Sequence, residues 1–234
     1  MAQSVAPARA HRTIFTQEGF ELVADTVWAA LATNLLLTVG SLPFVVLLLT
    51  TDPRSSWPAL VVAAVLAAPA LTASFGVFGT IGTGPRHGPV RTFLSAYRRT
   101  LGRSLALGAL VAGTVTVLVV DIVVLLGTTV GAVTIPLLAV LTLVAVATGL
   151  VAAVALPDHT DVRLRTILKV SLWTAVRRLF LTAPSLVVVM MLAAAFTLHP
   201  ALALGALAAP LLYAAWGGAR YALHSSLTAA ATRR

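Results

Sequence analysis

The sequence predicts an all-α membrane protein that crosses the bilayer several times, and three observations support this fold class. First, 59% of the 234 residues are hydrophobic and only 10% are charged, whereas about a quarter of the residues in soluble domains are charged. Second, several uncharged runs exceed the roughly 20 residues that an α-helix needs to cross a bilayer. Third, the cations are concentrated in a few short segments between these runs.

Hydropathy divides the chain into six predicted spans. They cover residues 28–49, 57–82, 104–126, 130–156, 181–198 and 201–219. The last two are separated at His199 and Pro200, because the uncharged stretch 179–219 is too long for one span. We therefore expect about six transmembrane helices.

The cations predict how these spans are oriented. If the spans alternate in direction, fifteen of the sixteen Lys and Arg residues lie on one side and only Arg54 lies on the other. Cytoplasmic loops of membrane proteins carry an excess of Lys and Arg, so both termini are expected in the cytoplasm. We predict a single membrane domain over residues 13–224 between cytoplasmic tails at 1–12 and 225–234.

Three segments begin with the same pattern of Arg, Thr and two apolar residues, at Arg12, Arg91 and Arg165. This pattern suggests three helical-hairpin units, 13–90, 91–164 and 165–224. Because the matching residues are few, chance similarity remains the alternative.

Two cationic segments have the apolar periodicity of amphipathic helices. In "RTFLSAYRRTLGRS" (91–104), Phe93, Leu94, Tyr97 and Leu101 share one stripe, and in 165–180 the matching residues are Leu168, Leu172, Val176 and Leu179. We expect both helices to lie in the membrane interface on the cytoplasmic side. Their cations are predicted to contact anionic headgroups or to dock a cytoplasmic partner; they are Arg91, Arg98, Arg99, Arg103, Arg165, Lys169, Arg177 and Arg178.

Asp121 and Asn34 are the polar residues within spans that could serve a transport function. Asp121 is the only acid within a span, and intramembrane carboxylates often mark an ion or substrate path. It lies near the outer end of its span, however, so contact with interfacial water is the alternative. Asn34 is expected to hydrogen-bond a neighbouring helix, because an unpaired amide in hydrocarbon is costly. Contact with a substrate is the alternative for Asn34.

Prolines and small residues are also placed within the predicted spans. Five of the six spans have a proline within the apolar run, and these prolines are Pro43, Pro69, Pro136, Pro184 and Pro210. Proline removes a backbone donor and tends to kink a helix, and broken helices build sites in some transporters. "LALGALVAG" (105–113) contains small residues that permit close helix packing.

The sequence contains no pattern that predicts an enzyme, a cofactor or a metal site. It has no cysteine, and no phosphate-binding loop, His-Glu-x-x-His or Gly-x-Ser-x-Gly motif is present. "PDHTD" (157–161) clusters Asp158, His159 and Asp161; it is expected to be a solvated loop, with a metal site as the alternative. The net charge of +9 indicates a cytoplasmic or headgroup-facing surface in so apolar a chain, so no nucleic-acid partner is expected.

The pattern from about residue 14 to 220 resembles the YesL-like family of bacterial integral membrane proteins, whose molecular function is not established. Four stretches carry the resemblance: "ATNLLLTVGSLPF" with Asn34 and Pro43, "APALTASF", "RTFLSAYRRTLGRSLALG" and "LRTILKVSLWTAVRRLFLTAPSL". This chain has Phe44 where the family often has glycine after the first-span proline. The resemblance implies a location in the bacterial cytoplasmic membrane.

Members of that family are often encoded beside carbohydrate-utilisation genes and sugar importers of the ABC type. The resemblance therefore implies a non-enzymatic accessory role in carbohydrate uptake, with such an importer as the partner. It supplies no catalytic or binding residues. The alternative hypothesis is a small carrier or channel with Asp121 and Asn34 in its path, and the chain could also form a homo-oligomer.

Overall fold

The computed structural model describes residues 17–81, 88–177, 179–198 and 207–231, and within these ranges the protein is all-α. Its helices are α1 (Gln17–Gly40), α2 (Leu42–Thr50), α3 (Trp57–Phe78), α4 (Pro89–Leu125), α5 (Gly131–Ala155), α6 (Leu164–Arg177), α7 (Leu179–Leu198) and α8 (Ala208–Ala231). The predicted fold class is confirmed at this level. Of the two predicted tails, residues 1–12 lie outside the described residues, and α8 continues beyond residue 225.

Among the described residues, fewer than six helices are long and apolar enough to cross a membrane. Within the described residues, the helices that could cross a membrane are Trp57–Phe78, Pro89–Leu125 and Thr129–Ala155, and the pair Thr26–Gly40 and Leu42–Thr50 adds a fourth if it forms one bent span. In α7 the apolar segment Ala183–Leu192 is shorter. Six spans are therefore not confirmed.

The predicted first span, 28–49, is not one straight helix. It breaks at Ser41, and the two parts are bent by 68°. Pro43 lies in the first turn of α2, where its missing N–H costs nothing, but its ring clashes with a continuing helix. The Ser41 hydroxyl donates a hydrogen bond to the carbonyl of Leu37 at 2.6 Å. The kink expected from proline is therefore present at this position.

The other prolines do not interrupt their helices. Pro69, Pro136 and Pro184 lie inside continuous helices, and Pro210 lies in the first turn of α8. Neighbouring helices in a bundle can supply partners for the backbone groups that proline leaves free. Of these five prolines, Pro43 is therefore the one that accompanies a break between described helices.

Helix α4 joins two elements that the sequence analysis treated as separate. The cationic segment 91–104 and the span 104–126 form one helix of 37 residues, which is about 55 Å long at 1.5 Å per residue. The hydrocarbon core of a bilayer is about 30 Å thick, so a crossing perpendicular to the membrane would leave about 25 Å of α4 outside the core. The prediction of a separate helix lying flat in the interface is wrong for this segment. After Pro89, α4 contains no further proline. No proline therefore ends the helix at the boundary between the cationic segment and the apolar segment.

Close approaches between small residues set the register of the bundle. A Cβ added to Gly108 of α4 would lie 2.7 Å from the Cβ of Ala68 in α3, and one added to Gly76 would lie 3.1 Å from the Cβ of Ala96. Helices α3 and α4 are therefore antiparallel and pack closely over this length. The small-residue packing expected in "LALGALVAG" is confirmed at Gly108.

The buried core is concentrated on the same side of the bundle as the N-terminal half of α4. Phe75, Phe78, Phe93 and Leu156 are at most 4% exposed and belong to one cluster.

The exposed residues of α4 change along its length: they include Arg91, Ser95, Arg98 and Arg99 in the first half, and from Ala106 onward they are uncharged apart from Asp121. We call the cation-rich side of this transition the charged end, which consists of residues 88–103, the 156–163 turn, α6 and the region around Arg220.

Candidate functional site

Arg103 forms hydrogen bonds with the turn that follows α5. Its guanidinium donates hydrogen bonds to the carbonyls of His159 (Nη1, 3.2 Å), Thr160 (Nη1, 2.7 Å) and Val162 (Nη2). Charge-assisted hydrogen bonds of this kind are stronger than neutral ones, and the fork geometry of Arg allows one side chain to hold several acceptors. Arg103 was predicted to be a docking or lipid contact; in the structure its guanidinium binds the protein's own backbone.

Arg220 connects the same turn to α3 and α8. Its Nη2 lies 3.9 Å from Oδ2 of Asp158, in a pair whose side chains are 36% and 46% exposed respectively. Its Cζ also lies 4.9 Å from the ring centroid of Trp216, and a Cβ added to Gly79 would lie 3.5 Å from its Nη1. An ion pair this exposed and this long contributes at most about 1 kcal/mol, so its effect is to orient the turn more than to stabilise the fold.

A cavity of about 450 Å³ lies under this turn. Its walls are mostly apolar side chains of α5 and α6, such as Val154 and Ile167, and its polar residues include Asp158, His159 and Arg220. An apolar cavity with a few polar groups is the usual form of a small-molecule site. The arrangement could bind a small amphiphilic group.

Ser171 is the unusual residue of this cavity. It is 1% exposed, and its Oγ has no hydrogen-bond partner within the described part of the chain. A buried hydroxyl without a partner costs about 1–3 kcal/mol, so such groups are rare in folded proteins. Sequence reasoning did not identify Ser171, because it treated 165–180 only as a cationic face opposed to a leucine stripe.

Part of the predicted apolar stripe of α6 faces outward, although Leu168 is half-buried and packs against the core. The buried residues of this helix are Ile167, Ser171, Thr174 and Ala175, whereas Leu172 and Val176 are 48% and 55% exposed. The small side chains of α6 let it approach the bundle closely, and the larger side chains Leu172 and Val176 are exposed on the opposite face. In α4 the predicted stripe is also split: Phe93 is buried, but Leu94 and Leu101 are 45% and 39% exposed.

The remaining predicted docking cations lie on the surface of the charged end. They are Arg91, Arg98 and Arg99 on α4, and Arg165, Lys169 and Arg177 on α6, all exposed. Arg177 stacks on the exposed Trp173, with its Cζ 4.3 Å from the ring centroid. Arg178 lies outside the described residues. Among the residues that the structure describes, the one ion pair is that of Arg220, so none of these cations pairs with a carboxylate in the described part of the chain.

Asn34 makes a contact between helices. It is 5% exposed, and its Oδ1 accepts a hydrogen bond of 2.6 Å from the backbone N–H of Ala209 in the first turn of α8. This hydrogen bond joins α1 to the N-terminal part of α8. This is the hydrogen bond to a neighbouring helix that the sequence analysis expected.

Asp121 is in a different environment from Asn34. It is exposed, near the end of α4, among Val117, Val120 and Val124, which are 42–70% exposed. Neither residue lines the cavity under the turn. The structure does not bring Asp121 and Asn34 together in a described cavity.

The 157–161 cluster does not assemble a metal site in the described chain. No group of three or more His, Cys, Asp or Glu side chains that could hold an ion occurs among the described residues. Arg103 and Arg220 instead bind the carbonyls and a carboxylate of this turn.

Comparison with protein families gives a match over the N-terminal part of the chain. A profile of the family described as "Protein of unknown function, DUF624" matches residues 27–122, which is less than half of the chain. The matched segment runs from α1 through most of α4. No curated protein and no solved structure matches the chain. The match is consistent with the resemblance to the YesL-like family and does not confirm that name.

Proposed function

We propose that the protein is a non-enzymatic accessory component of carbohydrate uptake that docks an importer through its charged end. The observation that carries this proposal is the set of exposed cations on α4 and α6 that have no carboxylate partner in the described chain. Unpaired surface charges steer association with a partner of opposite charge. The carbohydrate assignment comes from resemblance to the YesL-like family.

In this proposal the chain lies in the bacterial cytoplasmic membrane with six spans and both termini in the cytoplasm. The spans are the bent pair α1–α2, then α3, α4, α5, α7 and α8. The charged end then faces the cytoplasm, because Lys and Arg are retained on that side. The N-terminal half of α4 extends the docking surface away from the headgroups, where a partner protein can reach Arg98 and Arg99.

The rigidity of this surface supports docking over simple anchoring. A snorkelling cation needs only a flexible side chain at the headgroup level. Here Arg98 and Arg99 are carried by a helix whose opposite face is packed through Phe93, Ala96 and Thr100. Pre-organised surfaces lose less conformational entropy on binding than flexible ones.

Co-purification from a mild detergent tests the proposal. We expect the tagged protein to retain an importer subunit, and the double charge reversal Arg98→Glu with Arg99→Glu to abolish this retention. Arg54→Glu is the matched control, because Arg54 is exposed but lies in the turn between α2 and α3, away from the charged end. Unchanged carbohydrate uptake in a deletion strain, together with no subunit retained, would refute the role.

A further inference from the structure

We infer that the groove between α4, α5 and α6 is a binding site for one anionic phospholipid, with an acyl chain in the groove and the headgroup phosphate on Lys169. The groove has a volume of about 480 Å³. It is lined by α4 between Leu110 and Leu118, by α5 between Leu141 and Thr148, and by Leu168, Lys169 and Leu172 of α6. This site is separate from the cavity under the turn and does not depend on the docking proposal.

The lining of the groove suits a hydrocarbon chain. Its two threonines on α4 and α5 do not present free donors, because the hydroxyls of Thr114 and Thr148 donate to the carbonyls of Leu110 and Val144, at 2.8 and 2.7 Å. The other side chains from these two helices are aliphatic. Water in such a groove would find few polar partners, whereas an apolar chain would bury its surface there.

The dimensions and position of the groove fit one leaflet. From Leu110 to Leu118 the helix rises about 12 Å, which is less than half of the roughly 30 Å hydrocarbon core. The groove begins where the exposed residues of α4 change from charged to apolar. A chain that enters beside α6 therefore runs toward the bilayer centre.

Charge selects the headgroup. Among the described residues, Lys169 is the one cation that lines the groove, and it is exposed at the end of the groove that α6 borders. About one turn away, Trp173 is 58% exposed and carries the stacked guanidinium of Arg177. Tryptophan and basic side chains together are typical of the headgroup level. A phosphate at Lys169 would complete an arrangement that has no anionic partner in the described chain.

Native mass spectrometry of the full-length protein tests the site, with phosphatidylglycerol and phosphatidylcholine of identical acyl chains as probes. We expect one phosphatidylglycerol to be retained per chain. Lys169→Gln should weaken that binding about fivefold, since one basic residue near an anionic surface contributes about that factor, and should leave phosphatidylcholine unaffected. Lys169→Arg should retain the preference.

Two control substitutions separate this site from general lipid contact. Arg165→Gln removes an exposed cation of α6 that does not line the groove, and Ala139→Phe enlarges an exposed residue of α5 outside it; both should bind as the wild type does. Ala145→Phe fills the groove and should remove both lipids. If Ala145→Phe does not fold, the loss of phosphatidylglycerol binding in Lys169→Gln tests the site by itself.

Three results would overturn the inference. One is an equal loss of phosphatidylglycerol binding in Lys169→Gln and Arg165→Gln, which would indicate annular lipid held by charge. Another is retention of phosphatidylglycerol by folded Ala145→Phe. The third is that inorganic phosphate binds the wild type as well as phosphatidylglycerol does, because the acyl chain would then contribute nothing to binding.

Discussion

The contact between Gly108 and Ala68 allows a quantitative test of how α3 and α4 pack. In Gly108→Ala the new Cβ would lie 2.7 Å from the Cβ of Ala68 and 3.4 Å from the carbonyl oxygen of Val65. Optimal carbon–carbon contacts lie at about 3.5–4.0 Å, so the helices would have to separate by about 1 Å at this point. Overpacking of this kind costs about 1–3 kcal/mol.

Gly113 provides a matched control on the same helix. No atom lies within 4 Å of a Cβ added there, so Gly113→Ala meets no obstacle. Both substitutions gain up to about 1 kcal/mol from the higher helix propensity of alanine. The difference between the variants therefore isolates the packing term, and Gly108→Ala should be about 1–3 kcal/mol less stable than Gly113→Ala.

Thermal unfolding in detergent measures this difference. A change of 1 kcal/mol shifts Tm by about 2–4 °C in a chain of this size, so we expect the Tm of Gly108→Ala to lie at least 2 °C below that of Gly113→Ala. The double variant Gly108→Ala with Ala68→Gly moves the methyl group across the interface and should recover most of the loss, which a double-mutant cycle would show as coupling. Equal Tm values for the two single variants would refute the packing argument.

Three further outcomes are expected from the contacts of single side chains. Arg103→Gln removes the charged donor from three carbonyls and should increase protease cleavage in the turn after α5 several-fold, whereas the exposed Arg99→Gln should leave the cleavage rate unchanged. Asn34→Leu leaves a buried N–H of α8 without this acceptor and should lower stability by about 1–3 kcal/mol in thermal unfolding, while the exposed Asp121→Asn should change it by less than about 0.5 kcal/mol. Ser171→Ala removes a buried hydroxyl that has no partner in the described chain and should hold or raise Tm; a marked fall in Tm would show that the hydroxyl is paired in the folded protein.

Much of the helical architecture could be predicted from hydropathy. The predicted spans 57–82 and 130–156 correspond to α3 and α5, and the turn between α4 and α5 contains Gly127 with a φ of 82°, within the segment where a break was expected. These elements follow from local properties, namely runs of apolar residues and a residue that tolerates a left-handed backbone. Local properties do not depend on which helix lies next to which.

The candidate site could be predicted only in part. The sequence identified the cationic segments and Asn34 as residues of interest, but it could not show that Arg103 binds three carbonyls 56 to 59 positions later in the chain. It also missed Ser171 and the pairing of Asp158 with Arg220. Each of these depends on residues that are distant in sequence, and no spacing rule connects them.

The amino-acid sequence by itself determined that this chain forms apolar helices with cations gathered at their ends, because the cost of placing charge in hydrocarbon depends on residue type alone. The tertiary structure decided which faces of those helices are covered by protein. Hydropathy cannot make that distinction, since lipid tails are as apolar as leucine. Small residues such as Gly108, Ala96 and Ala175 pack against neighbouring helices, and Leu172 and Val176 are left exposed, because close approach of the backbones requires short side chains.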